Sequence, residues 1–301
     1  MRDEKLAVIV VNFGSHELLE VNLVGVEKAA HVIVVDNYFS DFERTQIRQR
    51  SAQHGWDLIE SRSNLGFGAA CNIGARRASE RGCDAVLFLN PDASITSDSI
   101  YELREFSREN PTAIVSPLIL DAAKRTWFEG GVLDRVRGVA RHATSAEVGL
   151  ADWLTGACLW VPISALDALG GFSEKYFLYW EDVDLTWRHR ESGGALLVHR
   201  GAKAQHDAGG TQGVGGKSAI YLQQQSRNRL RFAQENLGLK LAFLWAITTP
   251  AFVVHLARLS GLRHRRVRTT TFTRSVLCGS ATGLLALGVE IFSIDKRRPG
   301  K

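Results

Sequence analysis

The sequence is short of cysteine. Four occur in 301 residues, Cys71, Cys83, Cys158 and Cys278, and no two form a CxxC pair. That argues against a disulfide framework or a thiolate zinc site and favours reduced thiols. Only six prolines are present and no internal repeat, so collagen-like and solenoid architectures are excluded. There is no GxGxxG fingerprint, Walker A loop, GxSxG elbow or HExxH helix. Their absence weighs against dinucleotide oxidoreductases, P-loop NTPases, α/β-hydrolases and zincins. The first apolar run, Leu6 to Val11, is too short and too acidic in its flank for a signal peptide, and it reads as a buried strand.

What remains is a globular composition, 45% hydrophobic and 23% charged, incompatible with disorder as the main state. The net charge is +5, from 37 Lys and Arg against 32 Asp and Glu. It is unevenly placed. Residues 255–301 hold ten basic and two acidic side chains, a net of +8, and residues 1–254 carry −3. The basic excess belongs to the tail, and it suits an anionic membrane surface better than nucleic acid, because no aromatic stacking platform or reader motif accompanies it.

Aliphatic runs at 6–11, 32–35 and 85–89, with a shorter one at 58–60, alternate with helical stretches to about residue 29, at 41–53 and at 69–81. This is the pattern of a doubly wound, mostly parallel α/β sheet. In such sheets ligands bind beyond the carboxyl ends of the strands, where Asn12, Asp36, Asn37, Asn90 and Asp92 fall. Each alone is an ordinary turn-former; the convergence of three strand ends is the functional signal. Residues 112–150 show turn signals without clear periodicity. A strand is expected at 195–198 and a helix at 219–235. Beyond them an apolar run from Leu241 to Ala257, interrupted by Pro250, a basic cluster (Arg258, Arg263, His264, Arg265, Arg266, Arg268) and a second apolar stretch, Ser275 to Ile294, complete the chain.

Three constellations carry chemistry. Asp92, after Asn90-Pro91, can bind a hard divalent cation or simply form a turn. In Glu181-Asp182-Val183-Asp184, mutual repulsion raises at least one carboxyl pKa. Asp182 there can serve as a general base, and Asp184 can instead cap the helix that continues through Trp187-Arg188. The adjoining Tyr179-Trp180 suits a sugar cleft. His206 follows the expected strand and is a candidate second metal ligand, with the glycines between 209 and 216 forming a lid.

Together, Val11-Asn12-Phe13, Val35-Asp36-Asn37, Asn64-Leu65-Gly66-Phe67-Gly68 with Asn72, Leu89-Asn90-Pro91-Asp92, Gly170-Gly171-Phe172 and Glu181-Asp182-Val183-Asp184-Leu185 with Arg188 resemble the family 2 inverting glycosyltransferases, and among them the bacterial rhamnosyltransferase-like branch. The resemblance covers about residues 5–235. It implies a GT-A fold in a catalytic domain of residues 1–235; beyond the resemblance, the apolar stretches and basic cluster make 236–301 a helical, basic, membrane-associated segment. It implies donor binding by Asn12, Asp36, Asn64, Gly66, Asn72, Asn90 and Asp92. Asn90-Pro91-Asp92 stands where the family carries DxD, so Asp92 with His206 would hold Mg²⁺ or Mn²⁺. Asp182 would be the base, and Trp180, Glu181, Asp184 and Arg188 would line the acceptor cleft. The implied partners are a dTDP- or UDP-sugar, a polyprenyl-diphosphate-linked or glycan acceptor, and an anionic membrane, at the cytoplasmic face of the cell membrane and without nucleic acid. A homo-oligomer is compatible with this. Galactofuranosyl- or glucosyl transfer on the same fold is the alternative, and a basic nucleic-acid binder the alternative from another class.

Overall fold

The computed structural model describes residues 5–147, 149, 151–207, 219–259 and 279–280. The chain divides into two compact units. The first comprises residues 1–132, 142–177 and 181–211, and the second residues 133–141, 178–180 and 212–301.

The first unit is built on one sheet. Strands β1 (Leu6–Asn12), β2 (His31–Asp36), β3 (Asp57–Glu60) and β4 (Ala85–Leu89) are parallel, in the order β3-β2-β1-β4. Every residue of β1 and β4 is buried, because helices cover one face of the sheet and further chain the other. That double burial is why these strands read as unbroken aliphatic runs. Helix α3 (Phe67–Glu80) lies so close on β1 that a Cβ at Gly74 would stand 2.5 Å from the Ile9 side chain. Helix α1 (His16–Asn22) stops well short of residue 29. Helix α2 (Asp41–His54) starts where the Ser40 hydroxyl accepts the Glu43 N–H at 3.2 Å and ends at Gly55 in the left-handed conformation.

The other half of the sheet contains β5 (Ala93–Ile95), β6 (Ile114–Leu120), β7 (Thr126–Phe128), β10 (Cys158–Pro162) and β11 (Leu196–His206), while β8 (Gly131–Asp134) and β9 (Val139–His142) form a separate hairpin. β10 runs antiparallel to β4, and the order continues β10-β6-β11-β5. Helix α4 (Ser97–Glu109) packs on β11 and β6. Helix α5 (Ile163–Leu169) follows β10, and α6 (Glu181–Glu191) precedes β11. The expected strand at 195–198 is only the first part of β11. Its register jumps from His199 opposite Pro117 to Lys203 opposite Leu118, so Arg200, Gly201 and Ala202 are extra to the pairing, and the strand resumes as far as His206.

The second unit holds α7 (Ala219–Phe232), a π-helical turn (Ala233–Leu237), α8 (Leu239–Ile247) and α9 (Thr249–Leu259). Thus α7, placed within residues 1–235 by the sequence reading, groups with the C-terminal helices. Pro250 separates α8 from α9 and sits in the first turn of α9, where its missing N–H costs nothing. The centre of this unit is the fully buried Arg229. Its guanidinium donates to the carbonyls of Gly138 (2.9 Å), Arg137 (3.1 Å) and Trp245 (2.9 Å) and to the Thr248 hydroxyl (2.9 Å). Burial among these neutral acceptors lowers its pKa to about 9, so it stays charged at neutral pH. Among the described residues no helix is long and apolar enough to cross a membrane. Apart from Arg258, whose backbone is in α9, the basic cluster lies outside the described residues. So do the second apolar stretch, except Gly279 and Ser280, and the glycine-rich segment expected as a lid.

Candidate active site

The carboxyl ends of β1, β2 and β4 bring four of the sequence candidates into one region. Asn12 stands opposite Asp36 in the β1–β2 register, and the Asn37 N–H donates to the Asn12 carbonyl at 2.9 Å. Asn12 and Asp36 are fully buried. Asp36 accepts from Arg44 Nε at 2.6 Å through one oxygen, and Arg44 also donates to the Ser61 carbonyl. The other oxygen of Asp36 and the amide nitrogen of Asn12 have no hydrogen-bond partner. Phe13 and Phe39, both exposed, meet edge to face beside them, with centroids 5.0 Å apart.

Asn64 and Gly66 shape the neighbouring loop. The Asn64 side-chain oxygen accepts from Asn37 Nδ2 (3.0 Å) and the Gly66 N–H (2.9 Å), and Asn37 Oδ1 accepts from the Leu65 N–H (2.8 Å). Gly66 has φ +87°, and a Cβ there would run into the Phe177 carbonyl, which accepts the Phe67 N–H at 3.0 Å.

Asp92 and His206 are 114 positions apart in sequence, yet His206 Nε2 lies 3.0 Å from Asp92 Oδ1. The antiparallel pairing of β5 with β11 does this, setting His206 opposite Ala93. Both side chains are buried, and the His206 Nδ1 has no partner. The Trp127 ring packs edge-on to the imidazole at 4.4 Å.

Asp182 opens α6. One oxygen accepts the Gly156 N–H at 2.9 Å and the other the Val183 N–H at 2.8 Å. Gly156 adjoins Ala157, whose carbonyl accepts the Asn90 N–H at 2.9 Å. One stretch of main chain therefore holds both the Asp182 carboxylate and the turn that carries Asp92. Burial pushes the Asp182 carboxyl above its ordinary range, and the hydrogen bonds from Gly156, Val183 and the Thr155 side chain oppose the shift. Glu181 is buried against α3 near Gly68, and one of its oxygens has no partner. Burial, with Asp182 and Asp184 nearby, holds its carboxyl well above the usual range.

Four candidates are occupied elsewhere. Asn72 donates to the Phe172 carbonyl (2.9 Å) and accepts the Phe172 N–H (2.8 Å), clamping the turn after α5. Arg188 pairs with Asp184 (2.8 Å) and donates to the carbonyls of Leu169 (2.8 Å) and Gly171 (2.9 Å), so these two brace the end of α5. Trp180 is buried in the second unit and donates to Gln225 at 2.7 Å. In each case the side chain is engaged by main chain or by a neighbour within its own unit. Sequence reasoning missed Arg44, Thr155, Gly156 and Trp127. None has a local signal, because each acts through a contact between segments distant in sequence.

The glycosyl transferase family 2 profile matches residues 8–142, the segment that carries Asn12, Asp36, Asn64 and Asp92. Over that segment the chain is similar to the glycosyl transferases of family 2. Among its relatives, the low-salt glycan biosynthesis hexosyltransferase Agl10 of Haloferax volcanii is 28% identical over 194 residues, covering 62% of this chain and 62% of the relative. The N-acetylglucosaminyl-diphospho-decaprenol L-rhamnosyltransferase of Mycobacterium tuberculosis is 28% identical over 211 residues, 60% of this chain and 67% of the relative. The chain thus spans about two thirds or less of the length of these relatives. The mannosyltransferase PcManGT from Pyrobaculum calidifontis, solved with GDP-Man and Mn²⁺, superposes with a TM-score of 0.57 at 16% identity, over 96% of this chain and 81% of that one. The chain has the GT-A fold.

Proposed function

We propose that this chain is an inverting glycosyltransferase that moves a sugar, rhamnose foremost, from a nucleoside-diphosphate donor to a hydroxyl of a lipid-linked or polysaccharide acceptor in cell-envelope glycan synthesis, peripherally at the cytoplasmic face of the membrane. The observation that carries the reading is the shared mounting of Asp182 and the Asn90–Asp92 turn on Gly156-Ala157. It supports reading Asp182 as a base working beside a cation-binding turn. The names of the relatives, a hexosyltransferase and a rhamnosyltransferase acting on a diphospho-decaprenol sugar, support the reaction class and the acceptor type.

Asn12 and Asp36 offer an unpartnered amide donor and an unpartnered carboxylate acceptor side by side, the complement of a pyrimidine imide edge. This supports a dTDP- or UDP-sugar. Asn64 and Gly66 form the loop beside them, and Asn90 turns the chain toward Asp92. Asp92 and His206 fit a divalent cation: an oxygen and a nitrogen donor in contact, with an imidazole nitrogen still unpartnered. Among the described residues no group of three or more His, Cys, Asp or Glu gathers around one point. A two-donor site suits Mg²⁺ or Mn²⁺, which take few protein carboxylates and complete their shells with phosphate oxygens and water. Bound there, the cation would neutralise the charge developing on the diphosphate leaving group.

Asp182 then takes the proton of the acceptor hydroxyl, whose oxygen attacks the anomeric carbon opposite the leaving group, and one displacement inverts the configuration. Its raised pKa strengthens it as a base. Replacing Asp182 with Asn should lower the release of nucleoside diphosphate in the presence of acceptor by ~10²–10⁴-fold and leave donor affinity within a few-fold. Wild-type turnover by this variant would reject Asp182 as the base.

A further inference from the structure

The two oxygens of Asp36 are treated differently. Asp36 is fully buried at the end of β2; its Oδ2 accepts from Arg44 Nε at 2.6 Å and its Oδ1 from nothing. The amide nitrogen of Asn12, opposite it in the register, is unpartnered too. A buried carboxylate oxygen without a donor is costly unless a ligand supplies one. Arg44 selects which oxygen is left over.

Arg44 closes the first turn of α2, and its guanidinium is held on several sides. Nη2 donates to the Ser61 carbonyl, and the Tyr38 ring covers the guanidinium, its centroid 4.7 Å from Cζ. Tyr38 takes φ +45°, a left-handed conformation uncommon for a bulky residue, on the short link from β2 to α2. A competing acid, Glu60, lies 3.8 Å from Arg44 Nε, but each of its oxygens takes an Arg48 nitrogen at 2.6 Å. Arg44 therefore directs its short contact to Asp36. The Ser61 N–H in turn donates to the Asp36 carbonyl at 2.9 Å. One side chain thus ties the Asp36 carboxylate to the start of the loop that runs through Asn64 and Gly66. A carboxylate alone turns readily about its last torsion. A planar guanidinium held at two acceptors stops that turn.

This matters for the base that the pocket admits. Uracil and thymine carry an N3–H donor between two carbonyls, whereas cytosine presents a lone pair at N3. A carboxylate oxygen held in place accepts from the first and repels the second. We propose that Arg44 is a positioning residue that holds the Asp36 carboxylate with Oδ1 toward N3 of the base, so that the site prefers uridine and thymidine diphosphates to cytidine diphosphate. The inference rests on the reading of Asn12 and Asp36 as the base pocket and adds the residue that gives the pocket its selectivity.

The test titrates the full chain with UDP, dTDP and CDP in the presence of Mn²⁺, by calorimetry. Wild type should bind UDP or dTDP at least ~10-fold more tightly than CDP. Arg44→Met should cut that ratio to ~3-fold or less, through loss of UDP and dTDP affinity, and Arg44→Lys, which keeps the charge without the fork, should fall between. A merely structural role would lower the number of sites titrated and leave the ratio unchanged. The Lys variant keeps the test decisive where the Met variant fails to fold. A wild-type ratio in either folded variant would overturn the role of Arg44 and leave the base pocket standing. Equal affinity of wild type for UDP and CDP would overturn the base pocket itself, and the inference with it.

Discussion

Glu181 and Asp182 are adjacent carboxyls with different surroundings. Main-chain N–H groups meet both oxygens of Asp182, whereas one oxygen of Glu181 meets nothing. Burial raises the folded pKa of Glu181 well above 4.5, so the folded protein keeps a proton that the unfolded chain releases. The stability this group contributes is present below that value and is lost as pH rises through the interval up to the folded pKa. Glu181→Gln should therefore raise the melting temperature at neutral pH and flatten its decline as pH rises above 4.5, as followed by thermal denaturation. An unchanged slope would mean that Glu181 ionises freely. Asp182 is also shifted upward, so the acid limb of kcat/KM should inflect above the 3.8 of an ordinary aspartate.

At the scale of elements, β1, β2, β4, α2 and α3 were legible because each is local. A strand buried on both faces is a run of aliphatics, and a helix with a Ser cap and a closing Gly announces its ends. Strands β6 to β9 were not, since Pro117 interrupts β6 and the others are three or four residues long. Of the site, the strand-end residues and the acidic cluster were visible. The use of Asn72, Asp184 and Arg188 as braces was hidden, because a motif records that a residue is polar without recording which main-chain group it meets. In the second unit α7 carries a comparable brace. Asn228 Nδ2 donates to the carbonyls of Leu178 (3.0 Å) and Tyr179 (2.9 Å), holding a segment in which Tyr179 and Trp180 adopt φ of +66° and +74°. Two successive aromatics in that region cost of order 1–3 kcal/mol each unless something holds them. On the same helix, Arg229→Met leaves several carbonyls and hydroxyls without a donor. It should destabilise the protein by ~3 kcal/mol or more in urea titrations.

At the scale of the molecule the charge is more divided than the tail alone suggests. The second unit holds 18 Lys and Arg against 4 Asp and Glu, a net of +14, which leaves −9 on the first unit and +5 in all. A unit with that excess of carboxylates repels a diphosphate. Chelation of divalent cations should therefore weaken binding of a dTDP- or UDP-sugar by ~10-fold or more, measured calorimetrically, and His206→Ala should reduce the benefit of adding them back. The bulge in β11 reaches as far in its consequences. Its three extra residues set the phase of everything downstream, so that Ala202, Ala204 and His206 share the buried side. Deleting any one of Arg200, Gly201 or Ala202, where the strand downstream slips by one residue instead of the bulge shortening, would invert that parity and send the imidazole to the far side of the sheet. The Asp92–His206 pair would be broken with both its residues intact. The length of this short segment is under as tight a constraint as the identity of either partner.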